Sequence, residues 1–301
     1  MNKKCIPAVS LAATGWGFAE LYCFAFSRYR GIASIFDRPN HHSDDYYKRR
    51  DNYRTCLRAK EHTRLELKSC TGAKLVGNYY CCGEKPCGKI AFIVHGYRDD
   101  GAVAAGPFAD YYFSRGWDIF CCDHVSHGES SGLIIGYDYF ESLDCLSWLE
   151  YLSKTFGDDI QVILHGFSMG GGIVLKMSDR VPKQVKFICS DSGFSDAVGL
   201  IKPHLGPLYQ PIRYLNIVVG KYDLEDTDVR PNLKNARVPI LFVHGTADPT
   251  VPFEMGKELY ELCPTEKDCL FSEGVLHVES IYRRREEYES KLDEFIKRYA
   301  E

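Results

Sequence analysis

Ile160 to Met177 reads IQVILHGFSMGGGIVLKM. An apolar run of strand character ends in Gly-Phe-Ser-Met-Gly, and a helical pattern follows at once. A serine on so sharp a strand-to-helix turn has a strained backbone that only small neighbours tolerate. Gly166 and Gly170, two residues before and after Ser168, relieve that crowding, and Gly171 and Gly172 let the helix approach the sheet. The helix N-terminus then points at the serine hydroxyl and favours negative charge developing there. Ser168 is therefore read as a nucleophile, against the plainer reading of a glycine turn that matches a loose pattern.

The same alternation extends in both directions. KIAFIVHG, WDIFCCD, VKFICSD and PILFVHG are short apolar runs, each followed by a longer helical pattern. Continuous apolar strands separated by helices imply a parallel sheet covered on both faces. TRLELKS and KLVGNYY, flanking CTGA at 70–73, read as an antiparallel hairpin ahead of it. The expected fold class is α/β, a mostly parallel doubly wound sheet. Between VKFICSD and Pro239 the chain is too long for a structureless loop. Residues 194–236 are read as a small helical lid inserted over the sheet edge, its Leu200, Leu208, Tyr209, Tyr214 and Leu215 suggesting an apolar acyl or aryl substrate group. Ile281, Tyr288, Leu292, Phe295 and Tyr299 recur at helical spacing and predict one amphipathic closing helix.

A serine hydroxyl needs a base. His277 is the one histidine after residue 244, in the loop of SEGVLHVES before the closing helix. His165 and His244 end strands, His41 and His42 fall in the charged connector and His204 in the insertion, where packing or solvation explains them. The base needs an acid to fix its tautomer. Asp248, in LFVHGTADPTVP, completes the order Ser…Asp…His that accompanies a Gly-x-Ser-x-Gly turn. Asp191, which also ends a strand, is the rival acid. Attack would create an oxyanion that needs two N–H donors. Met169, next after the serine, supplies one and Tyr97, just past His95-Gly96, the second. His95, His127 and Ser130 are read as shaping the neighbouring loops.

HGY at 95–97, DHVSHGESSG at 123–132, GFSMGG at 166–171, PILFVHGTADPTVP at 239–252 and GVLHVES at 274–280 occur in this order over residues 61–301. On these pieces the chain resembles the α/β-hydrolase superfamily, in particular its bacterial serine carboxylesterase-like members, some of which also carry an apolar N-terminal segment. The resemblance implies the α/β-hydrolase fold and hydrolysis of a small-molecule ester through an acyl-serine, with no cofactor and no metal. The chain departs from many relatives in having Val125 and Ser126, not arginine, before His127-Gly128. The fold does not name the substrate. Thioesterase, peptidase or amidase chemistry on the same residues, and a non-catalytic binding module, are the alternatives. Dehalogenase and epoxide-hydrolase chemistry are disfavoured because they need a carboxylate where Ser168 stands.

A net charge of −4 leaves no electrostatic footprint for nucleic acid. Residues 1–60 nevertheless carry +6 and the remaining 241 carry −10. That region is read as an apolar segment and a charged connector ahead of a catalytic domain at 61–301. Ile6 to Phe26, 21 residues broken by Glu20, is long enough to span a bilayer. Membrane association through residues 6–26 is one expectation, an apolar helix lying on the catalytic domain the other. Were it to span, Arg28, Arg30, Arg38 and the Lys48-Arg49-Arg50 run would place the domain on the cytoplasmic side. The 13 cysteines, an odd number in a long chain, fit a reducing compartment. CCGEKPC at 81–87 lacks the second pair that a zinc site requires.

Overall fold

The computed structural model describes residues 17–29 and 42–301. Residues 17–26 form helix α1, and α2 (Asp44–Arg58) follows. Strands β1 (Thr63–Lys68) and β2 (Lys74–Tyr80) pair antiparallel as the predicted hairpin. Then β3 (Lys89–Val94) leads through two short helices, α3 (Gly101–Ala105) and α4 (Ala109–Ser114), to β4 (Asp118–Asp123). Helix α5 (Tyr139–Phe156) connects to β5 (Gln161–Phe167), and α6 (Met169–Lys176) to β6 (Val185–Asp191). An insertion carries α7 (Ala197–Leu205), α8 (Tyr209–Val219) and α9 (Arg230–Leu233). The fold ends with β7 (Ile240–Gly245), α10 (Phe253–Leu262), β8 (Lys267–Ser272), α11 (Ser280–Arg283) and α12 (Arg285–Tyr299).

The eight strands form one sheet in the order β1-β2-β4-β3-β5-β6-β7-β8, parallel from β4 to β8. Alternation along each strand fills two cores. Phe92, Phe120, Leu164 and Ile188 pack against Trp148 of α5 on one face. Ile93, Ile119, Ile163 and Leu241 pack against Leu292 and Phe295 of α12 on the other. Being buried on both sides is what made these strands read as unbroken apolar runs. The closing helix is interrupted: Ile281 lies on α11 and the chain breaks at Arg284 before α12 begins.

The N-terminal region is part of this body. In α2 the periodic positions Tyr46, Arg50, Tyr53 and Leu57 share one face, and Leu57 is fully buried. Its burial contributes about 1.5–3 kcal/mol to holding the helix down. The α2 backbone passes Gly106 so closely that a Cβ there would lie 2.8 Å from the Tyr53 carbonyl carbon.

The described half of the apolar N-terminal stretch is likewise docked. Phe26 is fully buried, Tyr22 Oη donates to Asn216 Oδ1 of α8 (3.0 Å), and the hydroxyls of Tyr97 and Tyr137 donate to the Ala25 carbonyl (both 2.8 Å). A single membrane span over residues 6–26 is therefore corrected for its second half, whose aromatic side chains serve this packing; residues 6–16 lie outside the described residues. Among the described residues no helix is long and apolar enough to cross a membrane.

Candidate active site

Ser168 occupies the turn between β5 and α6 with φ +56° and ψ −117°. For a residue bearing a Cβ this is a strained conformation. It persists because the turn is clamped: Ser168 N–H donates to the Asp191 carbonyl on β6 (2.8 Å), and α6 lies directly on β3. A Cβ at Gly170 would lie 2.0 Å from the Val94 carbonyl oxygen, and one at Gly166 would lie 2.1 Å from the Gly170 carbonyl oxygen. Backbone cannot yield as a side-chain tip can. Gly170→Ala is therefore expected to destabilise the protein by about 3 kcal/mol or more, read as a fall in the urea midpoint.

Ser168 heads α6 without using its hydroxyl as a cap. The hydroxyl meets His277 instead, with 2.8 Å between Oγ and Nε2. His277 Nδ1 lies 2.6 Å from Asp248 Oδ2. The carboxylate fixes the ring proton on Nδ1, which donates to it, and leaves Nε2 to accept from the serine. Asp248 is itself held by Thr250 and Val251 N–H donating to Oδ1 at 2.8 and 2.9 Å. Burial, the largest single effect, would alone raise its pKa. The His277 ring and hydrogen bonds from His244, His277 and Val251 together outweigh it and keep the carboxyl well below the usual carboxylate range. Asp248 thus stays ionised beside the His277 ring. Val278, following the base, takes φ +54°, rare for a β-branched side chain.

The rival acid is elsewhere engaged. Asp191 is fully buried and accepts from Ser192 Oγ (2.9 Å) and Tyr288 Oη (3.1 Å). Burial pushes its pKa up to about 6, against hydrogen bonds from Ser192 and Tyr288 and the charge of His244. A carboxyl raised in the folded state favours folding at low pH. That contribution is complete below the unfolded value of about 3.9 and is lost as pH rises through about 6. Asp191→Asn removes this dependence. Melting temperatures measured from pH 4 to 7 are expected to improve for the variant relative to wild type as pH rises.

Tyr97 lines the cavity beside Ser168, and Met169 is the first residue of α6, whose leading N–H groups have no partner within the helix itself. The loop carrying Tyr97 is braced by neutral histidines. His95 donates through Nδ1 to the Gly96 carbonyl (2.7 Å) and accepts at Nε2 from His124 N–H (3.0 Å). His127 donates through Nδ1 to the Val125 carbonyl (2.9 Å) and accepts at Nε2 from Arg98 N–H (3.0 Å). Burial pushes His95 down to about 4 and His127 down to about 3, so both shape the loop as uncharged rings. Ser130 ties β2 to this loop, accepting from Val76 N–H and donating to the Asp123 carbonyl.

The cavity beside Ser168 has a volume of about 200 Å³, roughly the space of seven waters at about 30 Å³ each. Its wall differs from the sequence expectation. No residue of 194–236 lines it. Besides Phe167, Ser168 and His277, the lining comes from His42 just before α2, from Tyr46, Tyr47 and Arg50 in its first half, from residues within 96–108, and from Val278, Ile281 and Tyr282. The insertion packs instead toward α1 and α5, with Tyr222 stacked on Tyr139 and its hydroxyl donating to the Ile135 carbonyl (2.9 Å). Its apolar residues therefore do not report on this cavity, and His42 belongs to the site's surroundings. His42 stacks on Tyr46 and pairs through Nδ1 with Glu279 Oε1 at 2.9 Å. Sequence reasoning missed these residues; the signal available was the spacing of Tyr46, Arg50, Tyr53 and Leu57 on one helical face.

Two described side-chain groups are close enough to share a metal ion, and both lie outside the cavity. In Cys82, Cys87 and Asp118 the carboxylate already accepts from Cys82 N–H (2.8 Å), Cys87 N–H (2.8 Å) and Tyr79 Oη (2.6 Å). Cys122, His124 and Cys145 are all buried between β4 and α5.

A family model described as serine aminopeptidase, S33, matches residues 85–211. The chain is 21% identical over 245 residues to the uncharacterized protein YqkD of Bacillus subtilis (strain 168), covering 78% of this chain and 79% of that one. It is 21% identical over 239 residues to the uncharacterized protein YfhR of Escherichia coli (strain K12), covering 77% and 79%. The Pyrococcus furiosus esterase Pf2001 superposes with a TM-score of 0.64 at 21% identity, over 80% of this chain and 94% of that one. The esterase EaEST from Exiguobacterium antarcticum gives 0.58 at 18% identity, over 78% and 100%. At these identities the likeness is one of fold.

Proposed function

We propose, from the premise that this chain has the fold of the α/β-hydrolase superfamily, that it is a serine hydrolase cleaving small carboxylic esters. Ser168 Oγ attacks the ester carbonyl while His277 Nε2 takes its proton. The N–H groups of Tyr97 and Met169 hold the oxyanion. His277 then gives its proton to the departing alcohol, leaving an acyl-serine. Water, deprotonated by the same imidazole, attacks the acyl carbon and releases the acid and the free serine. Asp248 stays ionised throughout and stabilises the imidazolium.

The observation that carries this reading is the unbroken chain from Ser168 Oγ through His277 to Asp248, at 2.8 and 2.6 Å. The matched family's description raises aminopeptidase activity as a second reading. Arg50 in the cavity wall works against it, because a cation beside the site repels a substrate's ammonium group. A fluorophosphonate probe and two substrate series test the choice. Wild-type protein is expected to be labelled on the peptide containing Ser168. It is expected to hydrolyse p-nitrophenyl esters of short acids faster than p-nitroanilides of amino acids. Neither labelling nor turnover would leave a binding module; faster anilide cleavage would favour the peptidase.

A further inference from the structure

We propose that the cavity beside Ser168 contains an anion subsite formed by Arg50, and that the substrate is a short ester whose acyl chain carries a carboxylate. This rests on the hydrolase reading above and names its substrate class.

Arg50, Arg54 and Arg58 follow one another at four-residue spacing along α2, and two are committed to structure. Arg54 and Arg58 both pair with Asp100, at 2.7 and 3.2 Å. Arg50, one turn earlier, lines the same cavity as Ser168. Its nearest described carboxylate is that of its chain neighbour, Asp51, at 3.8 Å and well exposed. Its Nε is buried with no hydrogen-bond partner among the described residues. A buried donor on a charged group left in this way costs stability unless something supplies an acceptor. The Tyr47 ring, 5.1 Å from the guanidinium carbon, helps hold the head group in place. The one acid in the cavity wall, Asp99, makes no ion pair with it within 4 Å. Burial pushes the Asp99 carboxyl up to about 7, the charge of Arg50 opposing and that of Asp100 reinforcing this. Asp99 is thus only a partial counter-charge near neutral pH.

Val103, Ala104, Pro107, Phe108 and Ile281 supply apolar wall to the same cavity. A chain of a few methylenes fits against them, with its ester carbonyl at Ser168 and its carboxylate at the guanidinium. The spacing of an apolar wall and one cation suits a dicarboxylic half-ester such as a glutarate monoester.

The test compares p-nitrophenyl butyrate with mono-p-nitrophenyl glutarate. Wild type is expected to favour the glutarate ester in kcat/KM. In Arg50→Met that preference is expected to fall about ten- to a hundred-fold, through KM, as for loss of a charge-assisted hydrogen bond. Arg50→Lys keeps the charge without the planar fork and should restore part of it. Both esters slowed alike by Arg50→Met would mean a structural role and overturn the proposal. Calorimetric titration of Ser168→Ala with glutarate reads the subsite without turnover. Binding that disappears in Ser168→Ala/Arg50→Met supports it; no binding to Ser168→Ala at millimolar glutarate overturns it, whatever the activity. Glutarate binding by a wild type that cleaves no ester would keep the subsite and remove the hydrolase reading.

Discussion

Ser168→Ala is expected to lower kcat by about 10⁶ and to abolish fluorophosphonate labelling, while KM for a p-nitrophenyl ester changes little. The size follows from how much of the site serves one oxygen. The positive φ of Ser168 lifts the side chain out of the helical path, and α6 leaves its hydroxyl uncapped. Its only described side-chain partner is then His277 Nε2 at 2.8 Å. Removing Oγ leaves the imidazole with nothing to deprotonate except water, which the cavity does not hold in that position by covalent attachment. His277→Ala should cost about as much, and the double variant hardly more, because the two groups act as one unit. Turnover by Ser168→Ala within tenfold of wild type would sink the acyl-serine mechanism. Folding is checked by circular dichroism, since an alanine at φ +56° is no more strained than the serine it replaces.

Asp248→Asn should reduce kcat by about 10⁴, and, because the fold holds this carboxyl ionised, its melting temperature at neutral pH should also fall. The amide can present its NH₂ to His277 Nδ1, which then holds no proton. Nε2 becomes the protonated nitrogen and can no longer accept from Ser168. The short 2.6 Å contact and the depressed acidity of Asp248 are lost together. Asp191→Asn separates the two acids, because its carboxyl bonds Ser192 and Tyr288 and not the base. Its effect on kcat should be under tenfold. The reverse pattern would reassign the acid.

The strands were legible because burial on both faces demands apolar side chains along their interiors, as in Ile90–Val94 of β3 and Val162–Leu164 of β5. The serine turn was legible for a similar reason: a Cβ at Gly166 or Gly170 would lie about 2 Å from a backbone oxygen, so neither position tolerates a side chain. The acid was less so. Asp191 ends β6 and Asp248 lies in the turn just after β7, and which one faces His277 depends on the path of the 273–279 loop, which composition does not encode. The cavity wall was misread because apolar character is a poor guide to which of two surfaces an insertion covers. Leu200 and Leu215 pack against the central core, while the wall comes from a charged, tyrosine-rich helix whose only fully buried side chain is Leu57. The break at Arg284 was invisible because Ile281 keeps the helical period across it.

Placing the cavity wall on α2 separates two kinds of change the protein could undergo. Ser168, Asp248 and His277 follow β5, β7 and β8, which run from the centre of the sheet to its edge. On the proposed mechanism, the groups that would meet a substrate's far end hang from a peripheral helix coded more than a hundred residues upstream of Ser168. Substitutions at Tyr46, Tyr47 or Arg50 can therefore retune selectivity while the machinery for bond cleavage stays untouched.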